Sequence, residues 1–438
     1  MRAEASIDLI LSTARHLIPG LVAKASITND TPGVLAELRA SSGTVGIISG
    51  RPNLSLLVSM EGMGRWILDF SRPSLPLSTQ EWDVLGRLPD AVATLLSSHG
   101  PKRRHVAHQI SSRLSLEHVL VAQTLRRVKV AGFWWPMTVM ETLIELTFRR
   151  YEGQIAATGI VFTSKDNLYT AKIDNKHPYA LHRFTTTVPL GYDTFSSPAS
   201  FRYVDGRNSF FLLDKRYQII GVLRARSPES FSIIDRCSLR HVYPLVRDMP
   251  GRVWLAYVGL NSDVQVLLSS GLHLQWQNNH WRVRDDTLVA SILRAHGCDL
   301  ETVTALLGLF NALSELRHGA LVLIPDGPAQ PTIVGKIDNS AIAASLRVQI
   351  QQVSIADLIS AHAAIGVLAS DGLTTISKTG QLLSCGDILD LGGRPTSAVS
   401  GGGRSQAARA ASAFGLAIKV SEDGPLSIYK NGTLLVSI

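Results

Sequence analysis

The chain has 438 residues, with 43 lysines and arginines against 35 aspartates and glutamates, a formal net charge of +8. Its length exceeds one ordinary domain, and 45% hydrophobic with 18% charged residues excludes a disordered chain. The basic balance favours phosphate-bearing partners without singling one out.

Apolar runs such as Phe133 to Ile144 meet charge too early for a membrane span, so no membrane association is expected. Arg2, Glu4 and Asp8 in the first turns do not follow the layout of a signal peptide, and a cytoplasmic protein is expected. Cys237, Cys298 and Cys385 lie too far apart for a zinc pattern and read as buried thiols.

In chain order, Ile7, Ile10, Leu11, Ala14, Leu17 and Ile18 recur at helical spacing, and Pro19-Gly20 ends that helix. Thr44 to Ser49, Leu54 to Met60 and Gly62 to Phe70 read as strands. A helix from Thr79 to Ser97 follows, capped by Ser78 or Thr79, interrupted at Pro89, with Glu81 and Asp83 set against its positive end. Residues 1–98 thus form an α+β unit, bounded by Ser98-His99-Gly100-Pro101. The cluster Lys102-Arg103-Arg104-His105 with Arg113, Arg126, Arg127 and Lys129 carries no interleaved aromatics. It reads as the solvated face of a helix at Leu116 to Arg127 rather than a nucleic-acid arm, and nucleic acid is not expected as a partner.

The middle unit, 99–285, then has an apolar helix at Met137 to Phe148 and strands at Ile155 to Thr163, Ser209 to Leu213, Ile219 to Leu223 and Arg252 to Val258. It closes on a hairpin, Val264 to Leu268 and Leu272 to Trp276, turned by Ser269-Ser270-Gly271. The third unit, 286–438, opens with helices capped by Asp286 or Thr287 and by Asp299. A repeat is visible here: Tyr151-Glu152-Gly153 and Arg317-His318-Gly319 each precede a strand, and the intervals Gly153 to Gly206 and Gly319 to Gly372 are equal. The fold class predicted is α/β, with a mixed central sheet flanked by helices; whether residues 130 to 285 repeat it is left open.

The third unit carries short motifs in a fixed order. After Arg317-His318-Gly319-Ala320 and an apolar strand come Ser370-Asp371-Gly372-Leu373, then Gly401-Gly402-Gly403-Arg404-Ser405-Gln406, then Val420-Ser421-Glu422-Asp423. Taken singly, Asp-Gly is a turn pair and a glycine run is a loop. Taken together, about 120 residues resemble the diadenylate cyclase family. That family joins two ATP molecules across a two-fold interface and carries an Asp-Gly-Ala turn, a Gly-Thr-Arg-His-Arg loop and a Val-Ser-Glu-Glu strand end.

The resemblance implies roles only where residues match. Asp371 stands for the metal carboxylate with Gly372 behind it; Gly402, Gly403 and Arg404 stand for the phosphate loop; Ser421 and Glu422 for the last motif. Ser405 and Gln406 stand where the family has histidine and its second arginine. Losing such donors costs about 10²–10³ in rate each, while the glycine run and helix start still offer N–H groups to a phosphate. The resemblance therefore implies a nucleotide or cyclic-dinucleotide sensor of bacterial stress or anti-phage signalling, coupled to an effector protein. An active cyclase and a ligand-free scaffold are the alternatives. Mg²⁺ or Mn²⁺ is expected only with a bound triphosphate. Oligomeric state is expected to be a monomer, as an internal pseudo-dimer, or a homodimer. With the motifs ending near Ile438, the DNA-binding extension of the family's scanning branch is not expected.

Overall fold

The apolar spacing from Ile7 to Leu17 produces helix α1 (Ala3–Leu17), whose buried face consists of Ile7, Ile10, Leu11, Ala14 and Leu17. The structure, a computed structural model, describes residues 3–27, 45–48, 54–60, 64–72, 75–88, 91, 116–125, 134–151, 153–173, 176–189, 201–259, 261–327, 331–336, 340–351, 353–390 and 402–438. The basic cluster at 102–105, Arg113, Arg126, Arg127, Lys129 and Gly401 lie outside them. The chain divides into two units: Met1–Pro228 with Val242–Arg284, and Glu229–His241 with Asp285–Ile438.

In the first unit, β1 (Val22–Ile27), β2 (Val45–Ile48), β3 (Leu54–Met60) and β4 (Gly64–Ser71) form an antiparallel sheet in the order β1-β4-β3-β2. Helix α2 (Thr79–Leu85) starts on a capping box, in which Ser78 and Glu81 each bind the other's backbone N–H. Glu81 does more than face the helix's positive end, because its carboxylate is buried in an ion pair with Arg72. Helices α3 (Leu116–Leu125) and α4 (Trp134–Phe148) follow. The apolar faces of α1, α3 and α4 share one core with the sheet that comes next.

That sheet has eight strands. The hairpin β5 (Arg150–Tyr151) and β6 (Gln154–Ile155) precedes it, and it comprises β7 (Gly159–Thr163), β8 (Tyr179–Pro189), β9 (Ser209–Leu213), β10 (Gln218–Ala225), β11 (Val253–Val258), β12 (Val264–Leu268), β13 (His273–Gln277) and β14 (His280–Val283). The order is β14-β13-β12-β11-β7-β9-β10-β8, with β7 and β9 parallel and every other neighbour antiparallel.

In the second unit, α5 (Asp286–Ala295) and α6 (Leu300–Glu315) lead into the sheet. Asp299 caps α6 as expected, but α5 is capped by Asp285, whose carboxylate accepts from Thr287 and Leu288, not by Asp286 or Thr287. The strands are β15 (Ala320–Pro325), β16 (Ile333–Lys336), β17 (Leu373–Ile376), β18 (Leu382–Leu389), β19 (Gly415–Val420), β20 (Leu426–Lys430) and β21 (Thr433–Ser437). Helices α7 (Ala364–Leu368) and α8 (Gly403–Ala411) flank β17 and β19 in sequence. The order is β16-β18-β17-β15-β19-β20-β21, again with a single parallel pair, β15 with β17.

Apart from β14, which has no counterpart in the second sheet, the two sheets are the same in strand order and direction. In each, the first central strand pairs in parallel with the strand after the Asp-Gly turn and antiparallel with the strand that opens the closing meander. The expected mixed α/β architecture is present, and its plan occurs twice. The equal glycine intervals are not the reason: Gly153 turns the β5–β6 hairpin, whereas Gly319 directly precedes β15. Among the described residues no helix is long and apolar enough to cross a membrane. Cys298 and Cys385 are buried and Cys237 is half-buried, all three as free thiols.

Candidate functional site

Four short segments of the second unit meet at one end of its sheet. Asp371 follows α7 and is the last residue before the Gly372 turn into β17. Gly372 has φ +94°, and a Cβ there would stand 2.9 Å from the Asp387 carbonyl oxygen, so only glycine lets the chain turn beneath β18. Arg404 lies in the first turn of α8, after the N-cap Gly402, which offers no side-chain cap. Glu422 is in the turn after β19, where Ser421 bonds backbone to backbone with Pro425 and Gly424.

Arg404 joins the two acidic positions. Its Nη1 donates to Glu422 Oε1 at 2.6 Å and its Nη2 to Asp371 Oδ1 at 2.7 Å. The carboxylates are mostly solvent-exposed, at 69% for Asp371 and 67% for Glu422, so each bond is screened and worth about 1 kcal/mol or less. Gly319 forms the floor: a Cβ on it would stand 2.0 Å from Arg404 Nη1. The guanidinium's proton affinity is raised, first by the bond to Glu422 and then by the bond to Asp371.

The remaining expected residues fall around this bridge in different roles. Gly402 and Gly403 are exposed at the open start of α8, where the helix dipole presents its positive end. Ser405 accepts from Lys419 Nζ at 2.8 Å, and its amide, like that of Gln406, donates to the Gly402 carbonyl. Lys419 was not singled out from the sequence, although a lysine inside the apolar run of β19 is a usable signal. Burial lowers its pKa, and the charge of Arg404 acts in the same direction against the pull of Asp423. Ser421 is half-buried in its turn. His318 is exposed, with its amide closing the end of α6 on Leu313.

The bridge sets one cation between two carboxylates and so keeps a net negative charge, with both arms of the arginine fork occupied. Oxygen donors such as Asp371 and Glu422 suit a hard divalent cation, and a cation on them would release Arg404 toward a phosphate. The arrangement can therefore exchange internal ion pairs for a ligand's charges.

The corresponding turn in the first unit is built differently. Asp205 accepts from the amides of Arg207, Asn208 and Ser209, from the Ser209 hydroxyl and from Asn208 Nδ2. Burial pushes its pKa up, but these donors outweigh that and hold it below the usual value. Beside it a cavity of about 840 Å³ opens between β8, β9 and β10, walled by Phe184, Phe201, Phe211 and Val222.

No family model matches the chain, and no curated protein matches it. Among solved structures it is similar to a hypothetical membrane spanning protein from Bacillus cereus, at 20% identity and a TM-score of 0.26, over 34% of this chain and 71% of that one. It is also similar to DacA from Staphylococcus aureus, in a double cysteine mutant form, at 17% identity and a TM-score of 0.22, over 32% of this chain and 87% of that one. Overlaps of this size carry neither fold nor chemistry from those proteins to this one.

Proposed function

We propose that the second unit binds a purine nucleotide or cyclic (di)nucleotide and responds to it without synthesising it. The observation that supports this reading most is the Asp371–Arg404–Glu422 bridge at the uncapped start of α8. The motif order resembling diadenylate cyclases supplies the ligand class. Chemistry is disfavoured by Ser405 and Gln406, which put a neutral hydroxyl and a neutral amide where a cyclase has two cationic or titratable donors. On binding, a phosphate would take Arg404 from its carboxylates, and Asp371 and Glu422 would turn to solvent or, for a triphosphate, to Mg²⁺ or Mn²⁺. Such a swap gives the ligand a differential effect on the loops that carry these residues, which is what a sensor needs.

Calorimetry of the full chain against a panel of mono- and cyclic dinucleotides tests the proposal. Binding in the micromolar range, weakened at least about tenfold in Arg404→Ala, is expected. No binding tighter than about 1 mM in either protein would remove the sensor reading. Cyclic di-AMP formed from ATP and Mn²⁺ would replace it with the cyclase. A ligand-free scaffold is favoured by one specific observation: the arginine fork is already satisfied by the protein itself.

A further inference from the structure

Three residues that no sequence motif connects come together in the first unit. His16 lies in the last turn of α1, Glu117 in the first turn of α3, and His280 opens β14. His16 Nδ1 stands 3.2 Å and His280 Nδ1 3.1 Å from the same oxygen, Glu117 Oε1. One ligand atom from each of the three lies within 4.8 Å of the others. The imidazole rings are 4.2 Å apart between centroids, tilted by 42°.

We propose that His16, Glu117 and His280 form a binding site for one divalent transition-metal ion of the zinc class, with its remaining coordination position open to water. The ligand set is two imidazoles and one carboxylate, the borderline N/O donors that zinc and cobalt prefer over magnesium or calcium. The spacing fits as well: a tetrahedral ion with bonds of about 2.0–2.1 Å sets its ligand atoms about 3.3 Å apart. The carboxylate is held in place for the task. Glu117 is buried, and its other oxygen, Oε2, accepts the Trp281 amide at 3.0 Å, the kind of outer contact that fixes a ligand's orientation. Both histidine side chains remain about half exposed, at 49% and 42%, so an ion has a route from solvent. Arg282, two residues along β14, opposes a cation here, but its charge interacts with Asp263 as well as with Glu117.

The competing arrangement is two imidazole N–H groups donating to one buried carboxylate, and the two differ in what they bind. The experiment uses the full chain stripped with a chelator and titrated with Co²⁺, read by visible ligand-field absorption, followed by Zn²⁺ displacement and a thermal melt. One equivalent of Co²⁺ with a tetrahedral or five-coordinate spectrum, displaced by Zn²⁺, is expected. His16→Gln and His280→Gln, both at half-exposed positions, should each weaken Co²⁺ binding at least about 100-fold. Zn²⁺ should raise the melting temperature of the wild type and not of these variants. Glu117→Gln changes a buried group that also accepts the Trp281 amide, so the histidine variants decide. Absence of Co²⁺ uptake, or uptake unchanged in both histidine variants, overturns the proposal.

Discussion

Asp205-Gly206 and Asp371-Gly372 occupy the same place in two sheets that share the order of seven strands, and they use their carboxylates in opposite ways. In the first unit the aspartate turns inward and collects five donors from Arg207, Asn208 and Ser209. In the second it stays 69% exposed and its carboxylate holds the Arg404 fork. One is spent on local structure and the other is left available. The difference follows from the neighbours: Arg207-Asn208-Ser209 bring amides and a hydroxyl under Asp205, whereas Leu373 passes directly into a buried strand after Asp371. One strand plan thus carries one aspartate as the scaffold of its turn and the other as a partner of Arg404.

Stability measurements can sharpen that contrast. The largest effect is expected at the turn glycines. Gly206→Ala places a Cβ 2.3 Å from the Thr158 carbonyl oxygen at φ +66°, and should cost on the order of 3 kcal/mol or more in urea unfolding. Gly372→Ala, with its nearest atom at 2.9 Å, should cost less. Equal losses would erase the distinction between the two turns.

Next comes the aspartate itself. Asp205→Ala leaves five donors unmet and should cost about 2–3 kcal/mol, while Asp371→Ala should change stability by less than about 1 kcal/mol. The acid limb adds a sign. Because the folded Asp205 carboxyl titrates below its free value, its contribution is complete above that value and disappears as pH falls through the lower folded one. The stability gap between wild type and Asp205→Asn should therefore narrow below about pH 4. A gap that widens on acidification would contradict the hydrogen-bond assignment.

The smallest stability effect is expected at Gly319→Ala. Its Cβ would displace the flexible end of Arg404 rather than backbone, so the fold should hold within about 1 kcal/mol while the bridge is lost. Nucleotide binding measured alongside would separate the roles. Weakened binding shows that Gly319 seats the guanidinium for the ligand; tightened binding shows that the carboxylate bridge competes with it.

Much of this was legible in the residues. The apolar period of α1, the cap at Asp299 and the Ser269-Ser270-Gly271 turn, with positive φ at Gly271, lie where the sequence places them. Among what escaped were edge strands: β8 and β16 bury little on either face, so their residues show no alternation to read. β1 is short, and half of its residues are exposed. At the site, the residue types were readable but their partners were not. Arg404 looked like a free phosphate ligand because its ion pairs to Asp371 and Glu422 span 33 and 18 residues. The His16–Glu117–His280 cluster spans more than half of the chain, beyond the reach of any spacing rule.

Residues 229–241, between β10 and β11, belong to the second unit although the chain on both sides of them belongs to the first. Within that unit Ile234 fills the space over Gly308 of α6, where a Cβ would stand 2.6 Å from its Cγ2, and Arg240 donates to the Thr304 carbonyl. The second unit is therefore discontinuous in the chain. A fragment beginning at Asp285 would leave the Gly308 face of α6 bare, and adding residues 229–241 back as a separate peptide should restore part of its stability. During synthesis the segment emerges before the helix it covers, and the first unit is completed in sequence while the second still waits for all of its strands.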